Sequence, residues 1–208
     1  MIYNKDYVLI CPPKCGTFSV NSHLLSNFYW KQYSLIPHSP FIQEDILEGR
    51  KVLLIVRNPY ERFISMYEFL RNIFALDRYQ NFFKFNILEM TFKQFLVFYK
   101  EKRKSSFESF FTENFYDRLT ADELHYEIYL NFLRSFKEYK KISKPDNIIK
   151  LENLNEDFKS YGVSSPFPEL NKTLNKPKKS FEKYYTSKVL EKCDFLKEDA
   201  LEFGYDVL

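Results

Sequence analysis

The chain is short of several things at once, and each shortage excludes a class of protein. None of its 208 residues belongs to an apolar run approaching the length that a bilayer crossing needs, so no membrane span is expected. Its three cysteines, Cys11, Cys15 and Cys193, are an odd set without metal-site spacing, which argues for reduced thiols rather than a disulfide framework or zinc site. An excess of one charge is missing too. With 31 basic and 28 acidic residues the net charge is +3, too small to imply a global polyanion-binding surface, so nucleic acid is not an expected partner. There is no internal repeat and no His/Cys/Asp/Glu spacing suited to a metal. No basic n-region or small-residue cleavage site precedes the first strand. Glycine is scarce, four residues in all, and each stands at an expected loop, turn or helix end: Gly16, Gly49, Gly162 and Gly204.

What is present suffices for one continuous core. Hydrophobic residues make up 45% of the chain, and residues 1–208 read as a single domain. The apolar run Tyr7-Val8-Leu9-Ile10 predicts a strand, and Val20, Leu24, Leu25 and Phe28 predict a helix over 19–30. A short strand over 33–36, a short helix over 43–47, a strand over 51–56 and a helix from Pro59 to about 76 follow. Thr91 suits the N-cap of a helix over 92–103. A long helix from about 120 carries Leu124, Ile128, Phe132 and Phe136 on one face and ends at Lys144-Pro145. Then come a strand over 147–151, a helix over 153–161, a surface excursion over 164–180 and a last helix over 187–203. The aromatic-rich stretch 69–116 reads as core, with some of it available for a lid or acceptor wall. Strands alternating with helices predict a three-layer α/β fold with a mainly parallel central sheet flanked by helices, in which ligands bind beyond the carboxyl ends of the strands.

Two stretches carry chemistry. In Ile10-Cys11-Pro12-Pro13-Lys14-Cys15-Gly16-Thr17-Phe18-Ser19 a strand passes through a tight loop into a helix, and a helix start has main-chain N–H groups that attract phosphate or sulfate. Lys14 adds a point charge, Gly16 permits close approach of the backbone, and Thr17 and Ser19 offer hydroxyls. The alternative is a plain strand-to-helix turn that Thr17 caps. This is not a Walker A loop, because the lysine precedes the glycine. The second stretch runs from Lys51 to Tyr67: a strand, a polar break at Asn58-Pro59, and a helix with Arg62, Ser65 and Tyr67. Arg57 stands at the carboxyl end of its strand and Ser65 about two helical turns on, so both suit one phosphate. The competing reading pairs Arg57 with Glu61 and buries Ser65.

In these blocks the chain resembles the sulfotransferases that use 3′-phosphoadenosine 5′-phosphosulfate (PAPS), and the likeness implies a P-loop-like fold. Lys14-Cys15-Gly16-Thr17-Phe18-Ser19 is similar to that family's loop for the 5′-phosphosulfate, and Arg57 through Tyr67 to its 3′-phosphate site. A third likeness covers Lys150 to Phe158, and a fourth runs from Tyr184-Tyr185 to Tyr205. The resemblance implies a donor site of Lys14, Cys15, Gly16, Thr17, Phe18, Ser19, Arg57 and Ser65, with Lys14 stabilising the leaving group and PAP (adenosine 3′,5′-bisphosphate) as product. No metal is needed. It also implies a hydroxyl acceptor, on a carbohydrate rather than a small phenol, alcohol or peptide. Golgi members carry a membrane anchor; its absence here points to a cytoplasmic enzyme or a trimmed catalytic part.

A hydroxyl acceptor requires a base. Histidine titrates near neutrality, and of His23, His38 and His125 only His38 lies in a proline-stiffened loop between the two donor motifs, similar to the place of the base in many carbohydrate sulfotransferases. A loop histidine bonded to backbone is the bland alternative, and Glu44 and Asp45 are reserves. The basic segment 171–179 suits a loop closing over the nucleotide or an ordinary solvated loop. Two other function classes compete: a nucleotide or small-molecule kinase on the same kind of sheet, and a non-catalytic nucleotide-binding protein. The kinase reading lacks the Walker order and an evident Mg²⁺ carboxylate.

Overall fold

The computed structural model describes residues 1–33, 38–74, 87–106, 131–168 and 181–208. In chain order the described elements are β1 (Ile2–Tyr3), β2 (Tyr7–Ile10), α1 (Thr17–Asn27), β3 (Lys31–Gln32), α2 (Glu44–Leu47), β4 (Lys51–Val56), α3 (Pro59–Phe74), α4 (Phe92–Ser106), α5 (Phe136–Ser143), β5 (Asn147–Lys150), α6 (Leu154–Lys159), α7 (Ser187–Leu190) and α8 (Asp194–Glu202). Single 3₁₀ turns occur at Ile87–Glu89, Leu151–Asn153 and Phe181–Lys183. The chain forms two compact units, Met1–Arg57 with Phe115–Lys176, and Asn58–Asn114 with Pro177–Leu208.

The first unit is α/β, built on one mixed sheet in the order β3-β1-β2-β4-β5. Strands β2, β4 and β5 are parallel neighbours, in register from Tyr7↔Lys51 to Ile10↔Leu54 and from Leu53↔Asn147 to Val56↔Lys150. β1 is antiparallel to both β2 and β3, so four of the five strands point the same way. Strand β4, between β2 and β5, is buried from Val52 to Val56, which is why it reads as an unbroken apolar run rather than an alternating one. Asp146 fixes the entry to β5: its N–H donates to the Val52 carbonyl (2.9 Å) and its carboxylate accepts from the Val52 N–H (2.7 Å).

Several expectations shift. β1 has two residues, too few for any period to show; a further short strand lies at Lys31–Gln32, and the strand expected over 33–36 falls, apart from Tyr33, outside the described residues. Phe132 and Phe136 do not share one helix. Ser135 starts α5 with a capping box: its hydroxyl accepts from the Glu138 N–H (3.2 Å), and the Glu138 carboxylate accepts from the Ser135 N–H. Residues 131–133 are helical and Arg134 and Ser135 are not, so the apolar period runs across a break. Within 164–168, Phe167 is buried, its ring 4.9 Å from Phe158 and 4.8 Å from His23, so this end of the expected excursion is packed. Residues 169–180 lie outside the described ones.

The second unit has an aromatic core. Phe63 on α3 meets Phe92 (5.5 Å), Phe95 (5.2 Å) and Tyr99 (5.0 Å) on α4 and Phe195 (5.8 Å) on α8. These contacts account for part of the aromatic-rich stretch, and its other aromatics from Tyr79 to Phe85 and Phe107 to Phe115 lie outside the described residues. Thr91 begins α4 as expected, accepting at its hydroxyl from the Gln94 N–H (3.3 Å). The expected last helix is two helices: α7 stops at Leu190, and α8 starts after Cys193 with Asp194 in its first turn, where an acidic side chain suits the helix dipole.

Candidate active site

The parallel arrangement of β2, β4 and β5 brings three strand ends to one edge of the sheet. The Cys11–Gly16 loop leaves β2 there, Arg57 follows β4, and Leu151 follows β5. The loop is tight. The Cys15 N–H donates to the Pro12 carbonyl (3.2 Å), and both Lys14 (φ 67°) and Gly16 (φ 72°) adopt the left-handed conformation. For Gly16 a second constraint holds: a Cβ there would lie 2.8 Å from Cδ1 of Leu151. Glycine meets both conditions without backbone strain and without any shift of the leucine.

Gly16 is the N-cap of α1, and no side chain caps the helix. Thr17 therefore does not play the capping role that a plain turn would give it. Its hydroxyl turns back into the loop, 3.1 Å from Cys11 Sγ and 3.4 Å from both the Pro12 carbonyl and His38 Nδ1. The first main-chain N–H groups of α1 are those of Thr17, Phe18 and Ser19, and Phe18 is exposed. Cys15 is fully buried, with its thiol directed at the Pro13 carbonyl (3.8 Å), so of this residue only the main chain suits a ligand. Cys11 is also buried and donates to the Cys15 carbonyl (3.2 Å); burial pushes its thiol up to about 12, so it stays protonated near neutrality.

Arg57 Nη1 donates to the Lys14 carbonyl (3.3 Å), joining the second motif to the first. His38 joins the same loop from the other side: Nδ1 lies 2.9 Å from the Cys11 carbonyl. A carbonyl can only accept, so Nδ1 carries a proton, and the lone pair of the neutral ring is on Nε2. That is the bland backbone-bonded histidine and the tautomer of a general base at once. His38 has left-handed backbone (φ 64°), its carbonyl accepts from the Tyr139 hydroxyl (2.8 Å), and its ring meets Phe132 edge-on at 6.0 Å.

Lys14, Gly16, Thr17, Arg57 and His38 thus converge in the first unit. Ser65 is half-buried on α3, in the second unit, and Arg62 is buried on the same helix. Of the reserve bases, Glu44 and Asp45 are exposed on α2. His23 is a packing residue, bonded to Ser165 (3.0 Å) and Asn27 (3.3 Å), and His125 lies outside the described residues with the basic segment 171–179.

The remaining two blocks have packing roles. In the third, the Asp157 carboxylate accepts from the Lys150 N–H (3.2 Å), tying α6 to the end of β5, while Leu151 fills the space beside Gly16. In the fourth, the buried Tyr185 donates to the Tyr60 carbonyl (2.9 Å) and Tyr184 donates to the Glu68 carboxylate, so it clamps the helix of the second block. Sequence reasoning missed Tyr139 and Leu151 as supports of the site; the Ser135-x-x-Glu138 capping signal was the one local clue to the helix that presents Tyr139.

Among the described residues no group of three or more His, Cys, Asp or Glu is arranged to hold a metal, and no helix is long and apolar enough to cross a membrane. No protein family, no curated protein and no solved structure matches the chain.

Proposed function

We propose that this protein is a sulfotransferase that moves a sulfuryl group from PAPS to an acceptor hydroxyl, with carbohydrate as the acceptor class. The observation that carries the reading is that Arg57 and His38 both donate into the Lys14 loop, at the carbonyls of Lys14 and Cys11. An ammonium, a guanidinium and the N–H groups of a helix start without a side-chain cap form an anion-binding set, and the donor nucleotide is a multiply charged anion. In a P-loop-like site of this kind the first turn of α1 holds the 5′-phosphate and Arg57 the 3′-phosphate. PAPS supplies an activated sulfuryl group. Lys14 offsets the charge that develops on the departing phosphate oxygen, and His38 Nε2 takes the acceptor's proton as the new S–O bond forms. The carbohydrate preference rests on the resemblance of the Arg57, Glu152-Asn153-Leu154 and Tyr184–Tyr205 blocks to microbial and membrane-type carbohydrate enzymes.

Two experiments test this. Thermal shift with PAP against ATP plus Mg²⁺ separates a sulfotransferase from a kinase: stabilisation by PAP is expected, and a response to ATP plus Mg²⁺ alone would overturn the reading. Incubation with labelled PAPS and an array of glycans, phenols and peptides then reports turnover and acceptor class; PAP binding without transfer to any hydroxyl would leave a non-catalytic nucleotide-binding protein.

A further inference from the structure

We infer that Tyr139 is a positioning residue for His38, and that its hydroxyl selects the ring tautomer which makes His38 a base. The inference rests on the assignment of His38 as base in the proposed reaction. Among the described residues, His38 is one of three non-glycine residues with positive φ, and such backbone persists only where surrounding contacts hold it. The contact here is long in sequence and short in space. Tyr139, fully buried on α5, donates to the His38 carbonyl at 2.8 Å across 101 residues. Its oxygen also lies 3.1 Å from the Asn131 carbonyl, a second acceptor for the same single proton, and the His38 carbonyl is the nearer of the two. Tyr139 itself is held because α5 is anchored by the Ser135–Glu138 capping box, one residue before it.

With the His38 carbonyl fixed, the Cα–Cβ bond points the ring at the loop, and Nδ1–H donates to the Cys11 carbonyl at 2.9 Å. Free imidazole side chains favour the other tautomer, with the proton on Nε2, which would present a donor rather than a lone pair to an acceptor hydroxyl. The Cys11 carbonyl reverses that preference only while the backbone of His38 keeps its left-handed conformation. Removing the Tyr139 hydroxyl removes that hold and nothing from the loop that carries Lys14. Donor binding and base function are thereby separable.

The test is the imidazole ¹⁵N–¹H correlation spectrum of the full chain above the titration of its histidines, with His38 identified by the signals lost in His38→Gln. The wild type is expected to show His38 protonated on Nδ1, and Tyr139→Phe to move it toward the Nε2–H form. In Tyr139→Phe, turnover with PAPS should fall by about ten- to hundredfold with PAP affinity unchanged. A wild-type His38 protonated on Nε2 would overturn the inference without any variant being made, and so would a Tyr139→Phe spectrum that keeps the Nδ1–H form. If the tautomer responds as expected but no acceptor is sulfated by the wild type, the sulfotransferase reading fails and the hold of Tyr139 on His38 stands.

Discussion

Gly16 and Leu151 are packed so closely that a Cβ on the glycine would stand 2.8 Å from Cδ1 of the leucine. The first and third blocks of the chain are therefore one packing unit, as the second and fourth are through Tyr60 and Tyr185. Gly16→Ala is predicted to cost about 1–3 kcal/mol, part from the clash and part from a φ of 72° that alanine resists. Leu151→Ala in the same chain should return the steric share and not the conformational one. Urea unfolding of the two single variants and the double measures the coupling; strict additivity would mean that the contact is unimportant.

Lys14 separates strain from charge. Its φ of 67° is one that glycine adopts freely, so Lys14→Gly should be more stable than Lys14→Ala by about 1 kcal/mol. Both variants should lose turnover more than PAPS affinity, because the ammonium acts on charge that develops during transfer. Full activity in either would take Lys14 out of the mechanism.

Arg57→Ala is predicted to weaken PAP binding by about tenfold or more, the scale of a hydrogen bond to a charged group. Affinity for adenosine 5′-phosphate should change little. Calorimetric titration of both nucleotides decides the matter, and an equal loss for both would mean that Arg57 acts only by bracing the Lys14 carbonyl.

His38→Ala should leave PAP affinity intact and lower turnover on the order of 10²–10⁴-fold. A fully active variant would shift the base role to Glu44 or Asp45.

Cys11 makes the fold sensitive to alkali. Its thiol is raised from 9.0 to about 12 by burial, so the folded chain keeps a proton that the unfolded chain releases. The associated stability is complete below pH 9 and is lost as the pH rises toward about 12. Thermal unfolding across that range should fall less steeply in Cys11→Ala than in the wild type. Parallel curves would show that Cys11 does not titrate with folding. Buried tyrosines such as Tyr185, also raised by burial, act in both proteins and cancel in the comparison.

Much of this protein was decided locally. The apolar run of β4, the strand-loop-helix passage from Tyr7 to Asn27, the start of α3 at Pro59 and the Thr91 cap depend on neighbours a few residues apart, so periodicity and end signals expose them. Where two local signals compete, the stronger hides the weaker: the apolar spacing from Leu124 to Phe136 runs over the Ser135 cap that starts α5. The support of the site was decided only in three dimensions. Arg57 reaches Lys14 across 43 positions, His38 reaches Cys11 across 27 and Tyr139 reaches His38 across 101. Such bonds depend on which strands lie side by side and which helix packs behind them, and no pattern within a few turns of chain encodes that. The residue types of the site were legible in the sequence, whereas the tautomer of His38 follows from a carbonyl that tertiary packing set beside its ring.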